Sequence, residues 1–554
     1  MRTPRPSALL GAGLAMFALL GGCAAPGTEL AAASRPGTGP GSADSADPTG
    51  GTLVYGHQQE PPCVHGGWIE QGYLSHQVLD ALVSLDEDGQ VVPWLATDWH
   101  ESADHLTWTF TLQEGPTFSD GTPVDAQAVV DNIDYWLAGG NGTAQVWIGP
   151  YVDSARALDA TTVEVALSQP YPRFAENLTQ PYFGLQSPAA LAERTAEENC
   201  RQPIGSGPFT VVAWNRGQNI VLDRRDDYDW APANAAVQGP ARVARVDWRF
   251  ITDPTARTAA LRSGEVDAIY DIQAFEWSAL ESEGYELHRY VTPGRPQQLS
   301  FNTSRGPFAD ERVRQAFAYS LDRESVVEAV GRGVIPYEGN GPVSRSTPAY
   351  SEEAAARYSY DPERARELLD AAGWEVGADG VRVKDGARLH IDFPYAINRT
   401  INQDGAAIIQ GLQQYAEEVG FEVELIPFPP SAAAAGAYSG PEDYDVSIGY
   451  WTSVNAGILL VTWRQNLPDS PNPSNSAFYN DPALEATIRE ANSAVDPDEQ
   501  DALYRQAQEY IADRALSIGV YDRLSTLAVG PHVDGIRQEN SQGGPVFHDA
   551  HLVD

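Results

Sequence analysis

An apolar side chain stands at every second position of Leu106-Thr107-Trp108-Thr109-Phe110-Thr111-Leu112, with threonine between. That is the period of a half-buried strand. "GTLVYG" at residues 51–56 alternates in the same way and begins the folded part. "SGPFTVVAWNRGQNIVLDRRDDY" carries two alternating runs around Asn215-Arg216-Gly217-Gln218, which predicts a hairpin. Elsewhere the period lengthens. Thr122-Pro123-Val124-Asp125 opens a helix whose apolar positions are Val129, Val130, Ile133 and Trp136. "DPTARTAALRSGEVDAIYDI" reads as a helix stopped by Gly264, then a short apolar strand. Asp310 caps a helix with Val313, Phe317 and Leu321 on one face, and Asp361-Pro362 opens another that Gly373 ends. Strands follow at residues 423–427 and 445–450, then one long helix from about Pro482. This αβ alternation predicts a layered α/β fold.

The first 50 residues follow a different pattern. Arg2 and Arg5 precede an apolar run over residues 8–20, too short to span a bilayer, and small residues lead to Cys23. That is the order of an export signal. Leu20-Gly21-Gly22-Cys23 resembles the lipobox of bacterial lipoproteins, which implies acylation of Cys23 and cleavage just before it. Residues 24–50 are rich in Ala, Gly, Ser, Pro and Thr, and bury too little apolar surface to offset their ordering entropy. They are expected to act as a tether with a reach of roughly 30 Å. The protein is thus expected outside the cytoplasm, held on the membrane's outer face without crossing it.

Composition narrows the function. A net charge of −40 repels nucleic acid and anionic headgroups. The roughly 500 residues beyond the tether exceed one core, so two or three lobes are expected. Of three cysteines, Cys63 and Cys200 remain beside Cys23, and an exported pair is expected to form a disulfide. Neither sits in a CxxC. His57, Cys63 and His65 cluster in sequence, but HExxH and paired CxxC motifs are absent, so no metal site and no cofactor are expected.

Taken in order, several blocks resemble the large extracytoplasmic solute-binding proteins of ABC importers, the dipeptide, oligopeptide and nickel-binding family. They are Pro93-Trp94-Leu95-Ala96, the strand at 107–118 with Asp120-Gly121-Thr122-Pro123, Gly205-Ser206-Gly207-Pro208-Phe209, and residues 310–323 and 360–374. The resemblance covers about residues 51–533. It implies a two-lobed periplasmic-binding-protein-like α/β fold of type II, with an extra subdomain and a hinge. The expected division is a signal over 1–22 and a tether over 23–50. The first lobe takes 51–75, 205–298 and 520–554, with an inserted subdomain at 76–204, and the second lobe takes 299–519. Crossings are expected near residues 298–302 and 516–521. The implied partners are a small solute, most simply a peptide or peptide-like compound, ABC permease subunits, and the membrane through the lipid; a monomer is expected.

Trp451 ends the strand "YDVSIGY", at the edge where open α/β sheets bind ligands, and aligns with a cleft tryptophan of the family. Peptide-binding relatives often continue as Trp-x-Ala-Asp, the acid pairing with the peptide's amino group. Here Val454 takes the acid's place, which cannot offset a buried ammonium. Further candidates are Trp147, Trp68, Trp463, Arg464, a possible bidentate carboxylate partner, and Asn302; packing, a surface ion pair or backbone satisfaction are the alternatives. An exported hydrolase is the rival reading. It lacks a GxSxG elbow, and its acids are too dispersed to single out a pair, so no catalytic residue is assigned. A sensory or scaffold lipoprotein on the same fold is the third reading.

Overall fold

The computed structural model describes residues 50–337 and 341–553. The signal, Cys23 and nearly all of the tether therefore lie outside the described residues. Among these residues no helix is long and apolar enough to cross a membrane.

A seven-stranded mixed sheet organises the first lobe. Its order is Glu286–Val291, Leu524–Val529, Ala268–Tyr270, Thr52–His57, Arg245–Phe250, Asn219–Arg224 and Phe209–Asn215. Thr52–His57 runs parallel to both neighbours, so His57, Phe250 and Tyr270 end on one edge. Leu524–Val529 is antiparallel to Ala268–Tyr270, which starts it on that same edge. Alternation buries Leu53 and Tyr55 against Val246 and Trp248 in one core.

The second lobe centres on Gly294–Phe301, paired antiparallel with Val446–Thr452 and Ser517–Tyr521. Gly294 needs to be glycine: its φ is +108° and a Cβ there would come within 2.2 Å of the Trp451 carbonyl oxygen. A parallel βαβ unit lies beside it, from His390–Tyr395 through the helix Gln403–Glu418 to Glu422–Pro427. The chain passes between the two sheets at Thr292-Pro293 and at Asp522-Arg523, where the Thr292 N–H donates to the Arg523 carbonyl at 2.9 Å. The residues predicted as crossings fall within or at the end of strands of the second sheet. Both strands are fully buried along their length, and the turn signal Pro293-Gly294 lies just upstream of the first.

Between residues 96 and 167, four antiparallel strands form a further sheet: Ala96–Glu101, Thr107–Leu112, Thr162–Leu167 and Val152–Ala157. Trp108, Phe110 and Leu112 are buried along its second strand, on the predicted alternation. The helix Ala126–Leu137 starts where the pattern places it, with Asp125 accepting from the Ala128 N–H at 2.9 Å, and buries Val129, Val130, Ile133 and Trp136. The C-terminal helical stretch differs from the single helix expected. It is split into Pro482–Ser493 and Pro497–Asp513, because Pro497 offers no N–H and Asp496 caps the second segment. These helices share one core with the four-stranded sheet, joining Trp136 and Trp147 to Trp463, Tyr504 and Ile511.

Candidate functional site

The edge of the first sheet faces the edge of the second across a cavity. Strand ends supply its walls: Gln58, Tyr270, Asp271 and Arg523 from one side, Gln297 and Tyr450 from the other. The loop and first turn of the helix Gln403–Glu418 add Arg399, Asn402 and Asp404.

Arg523 lies between the last two long strands, at the junction of the lobes. Its Nη2 donates to the Tyr270 hydroxyl at 2.7 Å, and its Nη1 lies 3.5 Å from the Tyr73 and Thr292 hydroxyls. The guanidinium sits over the Tyr450 ring, 4.4 Å from its centre. None of the carboxylates of the described residues pairs with it. His57, fully buried behind it, stacks on Tyr270 with ring centres 4.9 Å apart. Burial, with Arg257 and Arg523 adding to it, holds His57 well below the usual imidazole range, so the ring is neutral.

Asp271 is held from behind. Arg257, 1% exposed, donates to the carbonyls of Ile251, Tyr270 and Asp271 at 2.7–2.8 Å and reaches the Asp271 carboxylate at 3.2 Å. This network fixes Asp271 at φ +59°, a left-handed conformation uncommon for a residue with a side chain. Its other oxygen accepts from Asn402 Nδ2 at 2.9 Å, across the cavity. A second bond crosses alongside, from the Ala274 N–H to Asp404 Oδ2 at 2.9 Å. Burial pushes the Asp404 carboxyl up to about 6, against the opposing effect of the Ala274 bond. Asn402 does double duty: its Oδ1 caps the helix by accepting from the Gly405 N–H. These bonds hold the lobes in a closed arrangement.

The predicted residues separate into different environments. Trp68 is half-buried with the Arg399 guanidinium 4.0 Å from its ring centre, which places it at the cavity's rim. Trp451 is half-buried but does not line this cavity. On the strand Val446–Thr452, Tyr450 faces the cavity, and the period of two turns Trp451 to the core shared with Trp147. Trp147 and Trp463 are 2% and 3% exposed within that core and do not line the cavity; they sit on the helices Gly142–Ile148 and Ile458–Trp463, which share this core with the helices at 482–513. Arg464 donates to Ser470 Oγ and the Pro471 carbonyl, closing its own loop. Asn302 is fully buried and spends Nδ2 on the carbonyls of Pro441 and Tyr444 and Oδ1 on Ser304. Val454 is buried, leaving that position apolar. Cys63 and Cys200 form a disulfide with Cα atoms 4.8 Å apart.

Sequence reasoning passed over Arg523, Arg399, Tyr450, Tyr270 and Asp404. One signal was present: Arg523 interrupts the apolar run "SIGVYDRLSTLAV" where charge is costly unless it serves a partner. As for metals, His390, Asp392 and Glu424 bring ligand atoms within 4.8 Å of one another on the parallel strand pair, outside the cavity's lining. His390 there is bracketed by Glu422 and Asp392 at 3.2 Å, the geometry of an ion-paired surface.

Comparison with known proteins agrees with this architecture. Residues 90–482 match the model described as "Bacterial extracellular solute-binding proteins, family 5 Middle". Glutathione-binding protein GsiB of Salmonella paratyphi A is 28% identical over 441 residues, covering 78% of this chain and 80% of that protein. The nickel-binding periplasmic protein of Escherichia coli K12 is 26% identical over 462 residues, covering 81% and 84%. In structure, the oligopeptide-binding protein AppA of Bacillus subtilis, solved with a nonapeptide, superposes with a TM-score of 0.79 at 21% identity, over 91% of this chain and 99% of that one. With a match across more than half its length and two lobes facing one cavity, the chain belongs to the family 5 bacterial extracellular solute-binding proteins.

Proposed function

We propose that this chain is a lipid-anchored receptor that captures a peptide or peptide-like compound and hands it to an ABC importer permease. The cavity is the observation that carries the reading. It is lined by polar and aromatic side chains from both sheets, and hydrogen bonds join its two walls. The relatives bind glutathione, nickel and oligopeptides by their names, and a peptide-like solute suits a cavity with this polar and aromatic lining. Val454 argues for a solute held without an acid at the amine position. We further propose the signal at 1–22, the acylated Cys23 with its tether to residue 50, and the lobe division given above. A tether that confines the receptor beside the permease raises its effective concentration there.

Mass spectrometry of whatever co-purifies with the exported protein, followed by tryptophan fluorescence and melting with that compound, tests the reading. An unmodified solute that raises the melting temperature is expected, since binding to the folded state alone stabilises it. Conversion of the compound into product favours the hydrolase instead.

A further inference from the structure

We propose that Arg523, set in a cradle of tyrosines, is an anion subsite, and that the solute carries a carboxylate that docks on it. This rests on the solute-capture reading and specifies the chemistry of that same cavity.

The argument is one of charge and unfilled donors. A guanidinium has five N–H groups and no acceptor capacity. Arg523 meets hydroxyls of Tyr270, Tyr73 and Thr292, of which only Tyr270 lies at a short distance. Hydroxyls are neutral partners, whereas a half-buried cation is best compensated by an anion that accepts two N–H bonds in parallel. The Tyr450 ring covers one face of the guanidinium and leaves its edge to the cavity that Arg523 lines.

Among the described residues, the rest of the cavity supplies no such anion. Besides Tyr270, Tyr450 and Tyr521, four ionisable side chains among the described residues line it: Asp271, Asp404, Arg399 and Arg523. Asp271 is already paired with Arg257 and bonded to Asn402. Asp404 is bonded to the Ala274 N–H, and burial disfavours its charged form. Arg399 is stacked on Trp68 and has no carboxylate partner among the described residues. Among the described residues, two guanidiniums therefore face one cavity without a carboxylate of their own, in a protein whose net charge is −40. A cavity that stays basic against that background is built for an anionic guest. Neutral His57 behind Arg523 adds no competing acceptor charge. Tyr73, Tyr270 and Tyr450 come from three separate segments and surround the guanidinium, Tyr270 and Tyr450 also lining the cavity, so a charge-assisted bond there is stronger than in open water.

A pool of carboxylate-bearing solutes tests this directly: tripeptides, N-acetylated tripeptides, and di- and tricarboxylic acids, each offered as free acid and as methyl ester. Wild-type protein and R523Q are compared by melting temperature and by tryptophan-fluorescence titration of the single compounds that bind. The expected result is that free acids, N-acetylated ones included, stabilise the wild type, and that esterification weakens them about tenfold or more. In R523Q the acids should fall to the level of their esters. Should R523Q not fold, R523K keeps the positive charge, loses the planar fork, and is expected to weaken the acids by a similar factor. Esters that match acids in the wild type, or a variant that keeps the acid preference, overturn the assignment while leaving solute capture intact. Stabilisation by neither pool overturns the carboxylate assignment too. Capture itself is judged separately by the co-purified compound.

Discussion

Replacing Asp404 with asparagine tests whether shutting the cleft takes up a proton. In the closed arrangement Asp404 is 7% exposed, accepts the Ala274 N–H, and has Asp271, Arg332 and Tyr521 around it. Burial raises its carboxyl from 3.8 to about 6. Opening the lobes returns it to water, where a carboxyl titrates near its ordinary value of about 3.9. The sign follows. A group whose closed-state pKa is raised favours closure fully below about pH 4, where both forms are protonated, and that advantage is lost as pH rises through about 6. A shift of about two units amounts to ~3 kcal/mol against closure above that point. Between pH 7 and pH 5 the expected gain in solute affinity is about tenfold. Calorimetric titration of the co-purified solute from pH 5 to 8 reads this out. Asp404→Asn retains an oxygen for the Ala274 N–H but cannot ionise, so this component of the slope should vanish and affinity at pH 7 should match or exceed the wild type. Any titration of the solute itself is shared by both proteins and cancels. A wild type that is flat from pH 5 to 7, or a variant that keeps the full slope, refutes the reasoning.

Three further outcomes follow from the same contacts. Arg257→Met strips the Asp271 carboxylate of its buried partner and leaves three carbonyls without a donor, so urea unfolding should show a loss of about 3–5 kcal/mol; a negligible change would contradict the network. Trp147→Ala should cost about 3–5 kcal/mol in stability while the folded fraction keeps its solute affinity; lost binding at unchanged stability would put Trp147 in the site after all. Cys63 and Cys200 should resist alkylation until reduced, and Cys63→Ser should destabilise by about 2–5 kcal/mol, whereas immediate labelling of both in the native protein would deny the bridge.

Local patterns in the sequence carry most of the elements. Asp125, Asp310 and Asp361 cap helices at the predicted positions, because a side-chain acceptor ahead of an apolar face is a signal contained within a few residues. The break at Pro497 was equally local and follows from its missing N–H. The cavity is another matter. Arg523, Tyr73, Tyr270 and Tyr450 lie up to 450 positions apart, and only the strand order brings them together. Tryptophans draw the eye in a sequence because they are large, yet size suits a core as well as a cleft, and Trp147 and Trp463 fill a core made by helices arriving from far along the chain. Trp451 shows the same limit at one-residue resolution: the strand was legible, but which of Tyr450 and Trp451 faced the cavity depended on register against Gly294–Phe301.

Two hinged lobes closing on an unaltered solute is the claim on which the rest depends, and X-ray scattering of the protein with and without its co-purified compound tests it most directly. The account predicts a smaller radius of gyration with compound bound and full recovery of that compound, chemically intact, after unfolding. An unchanged radius at saturation, or recovery of a different molecule, would contradict it.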